Sequence, residues 1–194
     1  MEAIMERPQI YIIASQTGTL LSRLLKHVTG AKYNHVSISV DGRMETMYSF
    51  GRRHPYNPVW GGYVKESPLS GTFARFDDAQ ARIMSMSVTP EQYEGIRQYL
   101  EEMYKHQKTY HYNIIGLVLA GLKVPYRKKN YYYCSEFVRE VLVKFGVIPS
   151  WQFGPIVQPQ QLLDMPGGQV IYDGLLTEYP LLPPHKKRCR KWRK

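Results

Sequence analysis

Small or polar residues alternate with apolar ones over residues 35–40: His35, Ser37 and Ser39 fall on one face, Val36, Ile38 and Val40 on the other. That two-residue period predicts a half-buried β-strand. Asp41-Gly42 follows as a hairpin signal, and residues 43–50 read as the returning strand. Upstream, the β-branched run at 10–15 predicts another strand. Leu20, Leu21, Leu24, Leu25 and Val28 then recur at helical spacing over 17–29, with Gly30 as the stop. Residues 73–76 and 82–88 read as further strands. Thr89-Pro90-Glu91-Gln92 combines an N-cap, a first-turn proline and a capping-box glutamine. It predicts a helix to about residue 106, with Tyr93, Ile96, Leu100 and Met103 on one side. A second clear helix runs from Cys134 to Phe145. Phe137, Val138, Val141, Leu142 and Phe145 form its stripe and Gly146 closes it. A weak strand covers 169–172.

Residues 51–71 hold four glycines and three prolines and predict a long irregular loop, either a cover for a cleft or a plain surface connection. Strands and helices are segregated, so the expected class is α+β. One domain is expected over 1–175, followed by a Pro-containing linker and basic tail over 176–194.

Charge changes the picture mainly at the end of the chain. The net charge is +10, but the last ten residues, HKKRCRKWRK, carry seven Lys or Arg and no acid, leaving 10 − 7 = +3 for the rest. Residues 185–194 therefore offer weak contact to anionic membrane or to nucleic acid, with Trp192 suited to a membrane interface, or they are simply a solvated tail. The start, MEAIMERPQI, lacks the basic and apolar regions of a signal peptide. The apolar stretch at 114–122 is broken by two glycines and falls well below the roughly 20 residues that span a bilayer. The two cysteines, Cys134 and Cys189, are not at metal-ligand spacing, and no disulfide framework is indicated. A cytoplasmic protein without cofactor or metal is the expectation.

Cys134 lies in the first turn of its helix, where unpaired N–H groups and the positive end of the dipole favour a thiolate and can bind an oxyanion. The plainer alternative is a small core residue. His35 opens a polar strand face and by itself reads as a solvated edge histidine. Together the two supply a nucleophile and a base. The other histidines, at 27, 54, 106, 111 and 185, sit at helix ends, in loops or in the tail.

The segments YNHVSISVDG, YSFGRR, YHYNIIGL and YYYCSEFVREVL resemble the permuted branch of the NlpC/P60 papain-like cysteine hydrolase superfamily. Its relatives include YiiX/YaeF-type proteins and, more distantly, lecithin:retinol acyltransferase. The resemblance covers about residues 9–150. It implies a circularly permuted papain-like fold, an antiparallel sheet packed against the helix that carries the nucleophile. Cys134 matches the nucleophile and His35 the base, with the histidine first in the chain as in the permuted branch. The family's third residue, about twelve positions after the histidine, falls on Met47, which cannot orient an imidazole. If Gly42 is the bulge of a three-residue turn, Ser39 pairs with Arg43 and Ser37 with Glu45, which places Glu45 on the face of His35. A two-residue turn flips it away. Glu45 is the candidate third residue; Tyr48, Ser49, a loop residue or a bare Cys–His dyad stay open.

The implied function is a cysteine hydrolase of amidase or peptidase type, acting on an amide- or acyl-containing small substrate (a peptide or a lipid) through a thioacyl-enzyme. A lipid acyltransferase or thioesterase of the same fold and a noncatalytic binding module are the alternatives. Tyr110, Tyr112, Tyr131, Tyr132 and Tyr133 either line a cleft or pack.

Overall fold

The computed structural model describes residues 7–16, 32–53, 61–75 and 78–184. The helix expected over 17–29, the centre of the long loop at 54–60, and the basic tail with Cys189 and Trp192 lie outside the described residues.

β1 (Gln9–Gln16), β2 (His35–Ser39), β3 (Met47–Arg52), β4 (Gly61–Glu66), β5 (Gln80–Ser87), β6 (His111–Tyr112), β7 (Tyr131–Tyr132) and β8 (Gly168–Leu175) hydrogen-bond into one sheet. Their order is β7-β6-β4-β3-β2-β1-β5-β8. Neighbours run antiparallel except the short β6–β7 pair, which is parallel. Five α-helices accompany it among the described residues: α1 (Gly71–Arg75), α2 (Pro90–Lys105), α3 (Ile114–Gly121), α4 (Cys134–Lys144) and α5 (Pro159–Leu163). The α+β class holds. No helix among the described residues is long and apolar enough to cross a membrane.

Three expectations are corrected. First, β3 starts at Met47, and its register pairs Ile38 with Tyr48. No tight hairpin forms, because Asp41 turns its carboxylate back onto the chain, accepting from Arg43 N and Glu45 N at 2.9 Å each. Met44, at φ 57°, tucks its side chain into the core. Side-chain bonds to the backbone thus close a wide loop where a two- or three-residue turn was expected. Second, residues 61–66 belong to the sheet: β4 pairs with β3 from Met47↔Glu66 to Arg52↔Gly61. The glycines that read as loop signals mark close approach instead, since a Cβ on Gly62 would stand 2.6 Å from Tyr110 O. Third, 73–75, the described part of the strand expected at 73–76, is helical. α1 begins at Gly71 (φ 59°) and buries only Phe73; four residues were too few to separate the two periods.

Alternation gives the sheet two apolar faces. On one, Ile12, Val36, Ile38, Phe50 and Tyr63 meet Ile96 and Leu100 of α2 and Phe137, Val138 and Val141 of α4. On the other, Ile13, Met47 and Ile83 meet Phe73, Leu176 and Tyr179. Leu176 and Tyr179 are buried, so packing continues past residue 175, where the domain was expected to end.

The predicted caps are present. Thr89 Oγ1 accepts from Gln92 N, and Gln92 Oε1 accepts from Thr89 N. The same glutamine donates through Nε2 to the carbonyls of Phe145 and Gly146, tying the start of α2 to the end of α4. At the other end of α4, Phe137 packs tilted against Phe50 and edge-on against Tyr63, each with ring centroids 5.2 Å apart. Two anchors therefore set the height at which Cys134 leaves the sheet.

Candidate active site

Cys134 begins α4, and its N-cap residue Tyr133 makes no side-chain capping bond. First-turn N–H groups are thus left for another acceptor. The thiol lies close enough to the ring of His35 to help raise its pKa. The two residues picked from the sequence, 99 positions apart by 134 − 35, meet in the fold.

His35 Nε2 faces a carboxylate, that of Glu66, at 2.9 Å from Oε2 and 3.1 Å from Oε1. This leaves Nδ1 clear of the carboxylate. Ser37, two residues along the same strand face, donates to Glu66 Oε2 at 2.8 Å and fixes the carboxylate from below. Both side chains of the His35–Glu66 pair are 14% exposed. Burial alone pulls the His35 pKa down. The charge of Glu66, with hydrogen bonds to Cys134 and Glu66, outweighs this and pushes it up to about 10. The imidazole is held as imidazolium between sulfur and carboxylate.

Glu66 is the carboxylate on His35 that sequence reasoning missed. Glu45 is not on the His35 face: it sits in the wide loop after β2, half exposed, 3.9 Å from Arg43. Tyr48 lies on the opposite side of the sheet and donates to Glu101 of α2. Ser49 shares the His35 face but donates to Val36 O at 2.8 Å. Glu66 comes from β4, which is not a neighbour of β2. The signal that could have found it was modest: Tyr63-Val64-Lys65-Glu66 alternates, so a strand reading there would have put an acid on one face.

The tyrosines divide. Tyr112 is packed close to Cys134, Arg52 and Glu66, and burial, followed by the neighbouring Cys134, drives its phenol pKa well up. Its hydroxyl is held neutral. Tyr133 is buried next to the cysteine. Tyr110 and Tyr132 pack on Phe50, at 6.5 and 5.1 Å between centroids. Tyr131 lies against His111.

Glu136, in the first turn of α4, is buried, with Oε1 3.6 Å from Arg127 Nε and Oε2 without a hydrogen-bond partner. Burial raises its pKa. A cavity of about 130 Å³ is lined by Glu66, Arg52 and Phe73 but not by Cys134 or His35, so it does not open on the sulfur. Among the described residues no group of three or more His, Cys, Asp and Glu side chains could hold a metal ion.

The chemistry available is that of a thiol with an adjacent imidazole, a carboxylate behind that imidazole, unengaged helix N–H groups and a neutral phenol. No family model matches the chain, and no curated protein matches it.

Proposed function

We propose that this protein is a cysteine hydrolase of amide or acyl compounds, built as a circularly permuted papain-like domain. Cys134 is the nucleophile, His35 the acid–base group and Glu66 the residue that orients the imidazole. The observation that carries the reading is the chain of contacts Cys134–His35–Glu66, with the sulfur at a helix start. The chain order, histidine strand before cysteine helix, is that expected of a permuted arrangement.

In the proposed reaction Cys134 Sγ attacks the carbonyl carbon and an S–C bond forms. The thiol proton passes through His35 to the leaving nitrogen or oxygen as the C–N or C–O bond breaks. Water then attacks the thioester, and its proton passes through His35 to the sulfur as the S–C bond breaks and the acid leaves. The first-turn N–H groups of α4 receive the developing oxyanion. An amine or alcohol in place of water makes the same site an acyltransferase.

The test is an activated acyl ester or an electrophilic thiol probe followed by intact mass. The expected result is one acyl adduct on Cys134, absent from Cys134→Ala and greatly slowed in His35→Asn. A protein that stays unmodified near neutral pH sinks the reading. A second reading, a binding module that keeps the fold without turnover, is favoured by one observation: Cys134 is only 3% exposed. That reading predicts saturable ligand binding, no adduct, and equal behaviour of Cys134→Ala.

A further inference from the structure

β6 and β7 pair side by side, and the chain between them leaves the sheet as a single excursion over residues 113–130. Asn113 roots it: its side chain accepts from Gly116 N, and its backbone N–H donates to Tyr132 O. Beyond that root the segment packs little. α3 is IIGLVLAG, and Gly116 is its one buried residue. Ile115 is 62% exposed, Val118 61%, Leu122 68% and Val124 47%. An apolar helix that turns large side chains to solvent is unlike the amphipathic helices α2 and α4.

Charge identifies what this surface fits. Between Glu102 and Glu136 the sequence has no Asp or Glu, while Lys123, Lys128 and Lys129 follow the helix directly. All three are exposed. Apolar side chains beside a cluster of bases are the composition of an interfacial anchor. Eight residues are too short to span a bilayer, so such a helix lies along its surface. A second copy of the chain is a poor occupant, since a two-fold contact would bring the same bases together. A nucleic acid would pair with the lysines but leave Ile115, Val118 and Leu122 in water.

We propose that α3 and the lysines after it dock this protein on an anionic lipid bilayer. The apolar side chains enter the acyl boundary while Lys123, Lys128 and Lys129 meet the headgroups. The surface is rooted at the candidate site: β6 ends on Tyr112, beside the sulfur, and β7 runs into Cys134 within two residues. Docking itself does not need the thiol chemistry, and Cys134→Ala binds as the unaltered chain does.

The test is co-sedimentation of the full-length protein with vesicles of phosphatidylcholine alone or with about 30 mol % phosphatidylserine. The expected result is binding to the phosphatidylserine vesicles, weaker binding to phosphatidylcholine, and a drop of at least about tenfold in partitioning for Ile115→Ser/Val118→Ser/Leu122→Ser. That variant alters only exposed positions and keeps the basic residues at 185–194. If it fails to fold, Val118→Trp carries the test: its emission shifts to the blue on adding phosphatidylserine vesicles, beyond any change in the unaltered chain. Four outcomes overturn the proposal. They are no vesicle binding, full binding by the triple variant, binding lost only on removing residues 185–194, and an unmoved tryptophan at 118. A triple variant that loses self-association or oligonucleotide binding while vesicle binding is unaltered points to the other occupants and overturns it equally.

Discussion

The carboxylate of Glu66 meets His35 Nε2 at 2.9 Å although the two residues stand on strands that do not touch. β3 runs between them. The bridge exists because β3 presents Gly51 there: the register that pairs Ile38 with Tyr48 sets residue 51 opposite His35. A Cβ at that position would lie 3.1 Å from Glu66 Oε1 and 3.6 Å from His35 Cε1.

Gly51→Ala should therefore push the carboxylate away from the base without substituting either residue. The expected outcome is a fall in kcat of about 10- to 100-fold, the scale seen when an outer-shell partner is lost, with little change in KM. Adding Gly51→Ala to Glu66→Gln should cost little more, because both act through one contact. Full additivity in that double-mutant cycle would separate Gly51 from the pair.

Glu66→Gln keeps the shape and removes the charge. Turnover of an acyl substrate should fall by about 10²- to 10⁴-fold, the range for losing the acid behind a catalytic histidine. The His35 pKa should drop with it, since the Glu66 charge is the largest influence raising it. NMR titration of the imidazole reads that shift directly. Glu45→Gln should leave both quantities unchanged.

The same pair makes stability depend on pH. His35 titrates near about 6.5 in an unfolded chain and is raised to about 10 in the fold. A raised folded pKa means the pair stabilises fully below about pH 6.5, and the contribution is lost as pH climbs through about 10. Urea unfolding followed between those limits should show declining stability, and Glu66→Gln should flatten that part of the curve.

Gln92 serves two helices, so Gln92→Ala should destabilise more than Thr89→Ala. Loss of the Thr89 cap should cost about 1 kcal/mol. Loss of Gln92 removes that bond's reciprocal and also frees the carbonyls of Phe145 and Gly146, adding roughly 1 kcal/mol or less at so exposed a site. Denaturant midpoints of the two variants decide the order.

What the sequence made legible follows from how local each signal was. The Cys134 helix, the His35 strand and the capped helix at Pro90 each carry their own period or cap, and all three stand where expected. Glu66 was hidden because its strand is written with glycines. Gly61 and Gly62 make room for Tyr112 and for Tyr110 O, partners that only the folded sheet brings close. The Glu45 expectation failed for a related reason: the Asp41 side chain holds open a loop that the Asp-Gly signal would have closed. In both cases a contact outside the local pattern decided the outcome.

Base, carboxylate and nucleophile arrive on β2, β4 and α4, three pieces of chain that share no short segment. On the proposed reading no short fragment carries a working set, because the carboxylate reaches the histidine only where β4 lies on β3. Reactivity is then a property of the assembled sheet and helix, and no isolated piece of the chain would show it.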